Sequence, residues 1–172
     1  MKIVVLAGGI STERDVSLVS GMGIYKALKS KGHQVMLLDV FLGYEHDDWK
    51  DVFEKNVDWA ASVGAIKDQN PDIDEVKALR PDWKKNFFGP HVIEICQHAD
   101  VVFMALHGEN GENGKIQACF DLNGIRYTGT DYVSSAICMN KAISKDLFVT
   151  GGVPTPVGIR LKKGQTPDVK VP

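Results

Sequence analysis

The sequence has no long apolar run, no excess of basic residues and few cysteines. Its first apolar run, residues 2–7, stops at Gly8-Gly9 and is too short for a signal peptide or a membrane span. With 20 Lys and Arg against 22 Asp and Glu, the net charge is -2, and no basic stripe indicates nucleic acid. We therefore expect a cytoplasmic protein without nucleic-acid or membrane partners.

The cysteines and histidines do not suggest a metal centre. Cys96, Cys119 and Cys138 are far apart in the sequence and form no CxxC pair. None of the 5 histidines lies at zinc-ligand spacing from a cysteine. We expect reduced, mostly buried thiols and no metal site in this chain.

The remaining composition is that of an ordinary globular protein, with 172 residues, 44% hydrophobic and 24% charged. Residues 2–7 are apolar and rich in β-branched side chains, which predicts a strand buried on both faces of a parallel sheet. A helical pattern follows through about Ser30, with Ser11 or Thr12 as its N-cap. Residues 33–40 predict a second strand. This β-α-β order indicates an α/β fold with a mainly parallel sheet.

The turn after the first strand argues against a dinucleotide site. Asp39, at the end of the second predicted strand, could hold a ribose in a Rossmann unit. However, the turn Gly8-Gly9-Ile10-Ser11-Thr12 lacks the GxGxxG spacing that brings a pyrophosphate close to the backbone. We therefore interpret Asp39 as a loop residue or a helix cap.

Residues 41–90 differ from the rest, since they are rich in charge, broken by prolines and without clear periodicity. This composition and the lack of periodicity predict an insertion with short helices near 49–61 and 73–79. Its three tryptophans either mark a partner surface or anchor the insertion on the domain, and we favour anchoring because large aromatic side chains usually bury. They are Trp49, Trp59 and Trp83.

The chain after the insertion alternates again between helices and strands. Helices are predicted at 91–98, 115–123, from Asp131 toward Met139 and from Asn140 to about Gly151, and strands at 101–105, 125–128 and 157–161. We expect residues 1–138 to form the first domain and residues 139–172 to begin a second one.

The polar loop after the strand at 101–105 is the strongest candidate for a ligand site. Residues 106–114 contain His107, two glutamates and three glycines. Open α/β sheets bind ligands at the carboxyl ends of their strands, where glycines let the backbone approach and helix amides favour an anion. The residues alone leave two interpretations open, a ligand-binding loop or a glycine-rich connection whose histidine caps the next helix.

Four stretches occur in a fixed order, and each alone would be a weak signal. They are Gly8-Gly9-x-Ser11-x-Glu13-Arg14-x-Val16-Ser17, Leu106-His107-Gly108-x-x-Gly111-Glu112-x-Gly114, Tyr127-Thr128-Gly129, and Met139-x-Lys141 followed by Val153-Pro154-Thr155-Pro156. Together they resemble the amino-terminal half of the D-alanine:D-alanine ligase family, part of the ATP-grasp superfamily. The resemblance implies a Rossmann-like pre-ATP-grasp domain, followed by the first elements of a central ATP-grasp domain.

The activity implied by this resemblance is ATP-dependent joining of two D-alanines through an acyl phosphate, for peptidoglycan precursors. ATP and Mg²⁺ are the implied cofactors. Members of the family are considerably longer than this chain, so we expect the metal ligands, the adenine pocket and the second subsite after Pro172, and an inactive fragment here. The resemblance also allows a homodimer, which no residue spacing indicates.

Two alternatives stay open. A ligase that joins D-alanine to D-lactate or D-serine differs mainly in the second subsite. A non-catalytic α/β binding module would use residues 41–90 as its contact surface.

The resemblance assigns catalytic roles to Glu13 and His107. Glu13 corresponds to the family glutamate that contacts the ammonium of the first D-alanine. His107 corresponds to the histidine near the carboxylate of that substrate, where an imidazole stabilises developing negative charge. Without the resemblance, Glu13 would be interpreted as a carboxylate that opposes the dipole of the first helix.

The resemblance also assigns binding residues. Val16, Ser17 and Gly108 belong to the first D-alanine subsite, although Val16 would fit the core equally well. Lys141 corresponds to a lysine that reaches the ATP phosphates as a point cation. Asn113 departs from the family, which often has aspartate there, so the loop lacks one charge.

Overall fold

The computed structural model of the chain describes residues 1–66 and 69–166. Within these ranges, strands β1 (Lys2–Ala7), β2 (Gln34–Asp39) and β3 (Val101–Met104) form a parallel sheet in the order β2-β1-β3. The predicted α/β fold with a parallel sheet is confirmed. Because the three strands are parallel, their carboxyl ends lie at one edge of the sheet, with β1 between its two neighbours.

Strand β1 is buried on both faces. Its alternate side chains enter two separate apolar clusters, with Val4 and Leu6 in one cluster and Ile3, Val5 and Ala7 in the other. A strand that is covered on both sides cannot alternate apolar with polar residues. This explains the uninterrupted apolar run at the start of the sequence.

Helices cover both faces of the sheet and continue beyond it. They are α1 (Arg14–Ser30), α2 (Ile73–Ala78), α3 (Val92–His98), α4 (Lys115–Leu122), α5 (Tyr132–Met139) and α6 (Lys141–Thr150), with a 3-10 turn at Trp49–Asp51. Across the described ranges, no helix combines the length and the apolar composition needed to cross a bilayer.

Helix α1 lies very close to the sheet because Gly21 has no side chain. A Cβ at Gly21 would lie 2.8 Å from the Cβ of Ala7 and 2.9 Å from a methyl carbon of Leu37. The close approach fixes the start of α1 beside the carboxyl end of β1. This is where Glu13 and its neighbours lie.

The predicted helix ends are partly confirmed. Asp131 caps α5 by accepting hydrogen bonds from the amides of Val133 and Ser134, both at 2.9 Å. The predicted cap of α1 is wrong, because the helix begins at Arg14 with Glu13 at its N-cap and no side-chain cap bond. The Ser11 hydroxyl is used elsewhere.

Two predicted strands and one predicted helix are much reduced. Residues 125–128 contribute a single bridge between Val102 and Tyr127. Residues 157–161 form no strand in the part of the chain that is described. The helix predicted at 49–61 is only a 3-10 turn, whereas the helix predicted at 73–79 is confirmed as α2. The domain boundary at 138–139 stays a prediction.

The segment 41–90 leaves and rejoins the domain at one place. The amide of Tyr44 donates to the carbonyl of Pro90 at 2.8 Å, and the amide of Gly89 donates to the carbonyl of Val40 at 3.0 Å. These two bonds hold the two ends of the segment together. Within it, Arg80 donates to four backbone carbonyls, those of Phe41, Asn86, Phe87 and Phe88.

The tryptophans of this segment anchor it, as predicted. Trp49, Trp59 and Trp83 are partly buried against the main apolar cluster. Val52, from the same segment, is fully buried. The segment therefore completes the core, and its large aromatic side chains face the domain.

The three cysteines are free but differ in environment. Burial raises the pKa of the Cys96 thiol well above its ordinary value. Cys119 is half-buried, and burial raises its pKa as well. Cys138 is exposed, so the expectation of mostly buried thiols is wrong for this residue.

Candidate functional site

The candidate site lies at the carboxyl ends of β1 and β3. The chain passes from β1 to β2 on one side and returns to β3 on the other, which opens a crevice between the loops after β1 and β3. We call the loop of residues 8–13 the first loop, the loop of residues 105–114 the second loop, and the two together the strand-end site. Helix α1 follows the first loop and α4 follows the second.

His107 lies on the second loop with its imidazole partly exposed. Its Nδ1 is 4.0 Å from Oε1 of Glu112, and the His107 side chain is 37% exposed. Oε2 of Glu112 accepts a hydrogen bond from the Gly108 amide at 3.0 Å, and the Glu112 amide donates to the Gly108 carbonyl, also at 3.0 Å. Glu112 thus closes the loop and keeps a carboxylate beside the histidine.

Glu13 ends the first loop, and its exposed carboxylate faces the second loop. Gly108 has a φ of +72°, and a Cβ there would lie only 2.7 Å from Oε2 of Glu13. The two loops therefore approach so closely that only glycine fits at position 108. The structure brings Glu13 next to the residue that follows His107.

Gly108 is in the site, but its amide is not free for a ligand. The amide donates to Glu112, so the contribution of Gly108 is the space that its missing side chain leaves. The family resemblance had placed Gly108 in the first D-alanine subsite. The structure indicates a spacing role.

Ser17 and Val16 lie on the first turn of α1 but face different ways. Ser17 is fully buried, and its hydroxyl donates to the Ala105 carbonyl at 2.7 Å and accepts from the Gly8 amide at 2.9 Å. The hydroxyl thus ties the ends of β1 and β3 together, and the assignment of Ser17 to the first-substrate subsite stays a prediction. Val16 is 37% exposed and remains available to a ligand.

Arg14 and Asp39 form a buried ion pair that the sequence did not reveal. Arg14 is 7% exposed, its Nη1 donates to the Gly9 carbonyl at 2.6 Å, and its Nη2 donates to Oδ2 of Asp39 at 2.5 Å. Oδ1 of Asp39 accepts from the amides of Phe41 at 2.8 Å and Leu42 at 3.1 Å. Asp39 is the last residue of β2, so the expectation of a loop residue or a helix cap is wrong; its carboxylate accepts from the amides of the following turn. The ion pair holds the first loop against the end of β2.

A second residue missed in the sequence, Gln117 of α4, supports the second loop. It is 6% exposed, and its Nε2 donates to the Gly111 carbonyl at 2.6 Å. Its Oε1 is buried without a hydrogen-bond partner in the described structure. Gln117 and Glu112 also line an open cleft of about 380 Å³ behind this loop.

Lys141 begins α6 and is exposed. Asn140 caps this helix through the amides of Ala142 and Ile143, both at 3.2 Å. Lys141 shares a cleft of about 590 Å³ with Glu109 of the second loop. The start of α6 is therefore open toward the strand-end site.

Lys141 also lines a larger cleft of about 900 Å³. Its lining includes four cationic side chains, those of Lys141, Lys145, Arg160 and Lys162. Arg160 forms an ion pair with Asp146, and its hydrogen bond and charge lower the pKa of that carboxyl. Because cations predominate, this cleft is suited to an anionic ligand.

The described residues give no indication of a metal centre of their own. In residues 1–66 and 69–166, no group of three His, Cys, Asp or Glu side chains is arranged to hold a metal ion. Two of the acidic residues in the strand-end site have separate partners, because Glu112 accepts from the Gly108 amide and Glu109 pairs with Lys115 at 3.7 Å.

A protein-family model described as the D-ala D-ala ligase N-terminus matches residues 2–130. The D-alanine–D-alanine ligase of Lacticaseibacillus casei (strain BL23) is 46% identical over 100% of this chain and 48% of that protein. The corresponding ligase of Pediococcus pentosaceus is 48% identical over 90% of this chain and 44% of its own length. The chain spans about half the length of the curated relatives that it matches.

Solved structures agree with this similarity. The crystal structure of the D-alanine–D-alanine ligase from Bacillus anthracis complexed with ATP matches with a TM-score of 0.58 and 25% identity. The match covers 98% of this chain and 42% of that chain. The matched family region contains both loops of the strand-end site.

Proposed function

Because the chain belongs to the D-alanine–D-alanine ligase N-terminus family, we propose that the complete protein joins two D-alanines at the expense of ATP. The proposal concerns the complete protein, since the chain spans about half the length of its curated relatives. In this proposal, the described residues supply the subsite of the first D-alanine. The dipeptide product would serve peptidoglycan precursors.

The observation that carries the proposal is the close approach of the two loops at Glu13 and Gly108, next to His107. D-Alanine is a small zwitterion, so its recognition needs an anionic and a hydrogen-bond-donating partner a short distance apart. Glu13 offers an exposed carboxylate for the ammonium. The partly exposed imidazole of His107 offers an N–H donor for the carboxylate.

The proposed reaction has two steps. An oxygen of the first D-alanine carboxylate attacks the terminal phosphorus of ATP, which releases ADP and leaves an acyl phosphate. The amine of the second D-alanine then attacks the acyl carbon, loses a proton, and displaces phosphate. His107 would stabilise the negative charge that develops on the substrate oxygens, and Glu13 would hold the first substrate in place.

For ATP, we assign the phosphate contact to Lys141. This lysine is exposed at the start of α6 and lines the cleft that also contains Lys145, Arg160 and Lys162. Lysine recognises phosphate as a compact point charge. Since the described ranges hold no suitable cluster of metal-ligating side chains, we assign the ligands of Mg²⁺ to the rest of the complete protein.

The solvent exposure of the neighbouring side chains indicates which of them can contact the first substrate. We assign Val16 to its wall, because this side chain is 37% exposed on the first turn of α1. Ser17 and Gly108 act by fixing the strand ends and the loop spacing. The proposal also includes a cytoplasmic location, because the reaction consumes ATP, and a homodimer, which light scattering would test.

The test is phosphate release from Mg-ATP by the protein expressed from its complete reading frame. We expect release that depends on D-alanine, with D-alanyl-D-alanine identified by mass spectrometry. Offering D-serine or D-lactate beside D-alanine distinguishes the related ligases by their products. A folded, complete protein that releases no phosphate with any of these substrates would refute the proposal.

A pair of histidine variants gives the matched control. His107→Ala should lower the rate by about 10²–10³, the usual effect of removing one donor to a developing oxyanion. His46→Ala changes an exposed histidine whose ring contacts Tyr44, within the segment 41–90, and should leave the rate unchanged. A non-catalytic binding module predicts no effect of His107→Ala on its function.

A further inference from the structure

Ser11 lies where the two loops of the strand-end site meet. Its hydroxyl accepts a hydrogen bond from the Glu13 amide at 3.2 Å and donates one to the His107 carbonyl at 2.8 Å. One hydroxyl group therefore links the backbones of Glu13 and His107, the two residues that we propose to bind the first substrate. The residue types alone had suggested only a helix cap for Ser11.

This bridge has no substitute between the loops. In residues 1–66 and 69–166, no other hydrogen bond links the first loop, residues 8–13, to the second loop, residues 105–114. Ser17 ties the strand ends together behind the crevice, and Arg14 ties the first loop to β2, on the far side from His107. Neither of these contacts sets the distance between the first loop and the second loop.

The packing around Ser11 is tight. A Cβ at Gly108 would lie 3.0 Å from Oγ and 3.1 Å from Cβ of Ser11. The hydroxyl is thus held between the two loops, and its loss would leave the Glu13 amide without its acceptor and the His107 carbonyl without its donor. Both loops would then be free to move apart.

We propose that Ser11 is a positioning residue that sets the separation of Glu13 and His107, and with it the width of the first-substrate subsite. The inference rests on the proposed ligase function for the identity of the substrate. The ammonium and carboxylate groups of D-alanine are attached to the same carbon atom, so the distance between them is short and fixed. If the crevice widens, the substrate cannot keep both of its contacts. A shift of one loop would weaken the contact at one end of the substrate.

The kinetic test uses the protein from its complete reading frame with Ser11→Ala. We expect kcat/KM for the first D-alanine to fall about tenfold, through a higher KM, while KM for ATP stays unchanged. Ser11→Thr keeps the hydroxyl and should restore most of the activity. If Ser11→Ala does not fold, Ser11→Cys takes its place, because a thiol has nearly the same size and forms weaker hydrogen bonds.

Ser30→Ala is the matched control. The Ser30 hydroxyl also donates to a backbone carbonyl, that of Ala27, at 2.8 Å, but at the opposite end of α1. This variant loses a bond of the same kind and length away from the site, so its kinetics should match those of the unchanged protein.

A second readout does not depend on activity. Hydrogen exchange followed by mass spectrometry should be faster in Ser11→Ala for peptides that cover residues 9–17 and 105–114, and unchanged there in Ser30→Ala. If an active protein shows neither the kinetic nor the exchange change, the inference about Ser11 is overturned and the ligase proposal stands. If the unchanged protein shows no D-alanine-dependent release, the ligase proposal is overturned, and with it the role of Ser11 in a D-alanine subsite.

Discussion

Replacing Arg14 with methionine should destabilise the domain strongly, although Arg14 contacts no proposed substrate. Methionine keeps most of the length and the apolar stem of arginine but removes the guanidinium. The Asp39 carboxylate would then lack its cationic partner, and the Gly9 carbonyl would lose its donor. Since Gly9 is buried and the Asp39 side chain is almost so, water could not readily replace the guanidinium.

The size of the effect follows from burial. The side chains of Arg14 and Asp39 are only 9% and 13% exposed. Removing one partner of a buried ion pair costs about 3–5 kcal/mol, because the other charge is left uncompensated. Asp39 keeps the hydrogen bonds from the amides of Phe41 and Leu42, so we expect a loss near the lower limit, about 3 kcal/mol.

The assay is urea unfolding of the 172-residue chain, followed by circular dichroism. A loss of about 3 kcal/mol should lower the midpoint by about 1 M urea or more. Lys77→Met serves as the control, because Lys77 pairs at 3.1 Å with Asp74, whose side chain is 92% exposed. Breaking an exposed pair of this kind should not change the midpoint measurably.

The double variant Arg14→Met with Asp39→Asn tests the physical reason. It leaves no unpaired charge, so it should be more stable than Arg14→Met alone. A loss below about 1 kcal/mol for Arg14→Met, or a double variant with the summed loss of both single changes, would contradict a buried and coupled pair.

Two further predictions concern the loop spacing and a helix cap. Gly108→Ala should reduce D-alanine-dependent phosphate release at least about tenfold, because its Cβ would collide with Glu13. Gly124→Ala has a similar positive φ of +65° but no neighbour within 4 Å, and should keep its activity. Hydrogen bonds from the amide and hydroxyl of Ser134 hold the pKa of Asp131 below its ordinary value of 3.8, so this cap stabilises α5 fully at neutral pH and loses its effect as the pH falls through the lowered pKa. The stability difference between the unchanged chain and Asp131→Asn should therefore shrink as the pH falls below about 4, as measured by urea unfolding.

Features set by neighbouring residues could be predicted from the sequence. The apolar run of β1 and the cap of α5 by Asp131 depend on residues within a few positions of one another, and both are confirmed. The parallel sheet followed from the alternation of strands and helices. The strands predicted at 125–128 and 157–161 were not found as such in the described residues, because strand pairing depends on partners elsewhere in the chain.

Features set by distant partners could not be predicted in this way. Ser17 bonds to Ala105, which is 88 positions away, and the Ser11 hydroxyl reaches His107, which is 96 positions away. A serine before a helix favours a cap, but the carbonyl of His107 competes for the same hydroxyl once the sheet forms. The sequence thus predicted the two loops of the candidate site, and the fold determined which of their side chains are exposed there.

The hydrogen bonds that join the two ends of the segment 41–90 affect how relatives of this protein can differ. Because Tyr44 bonds to Pro90 and Gly89 bonds to Val40, both ends of the segment are held at one point. The entropic cost of closing a loop grows only slowly with its length, so adding or removing residues in the exposed turns of this segment should change that cost little. Evolution can therefore lengthen or shorten this segment while β2, α3 and the strand-end site keep their positions, provided that a buried residue such as Val52 is retained.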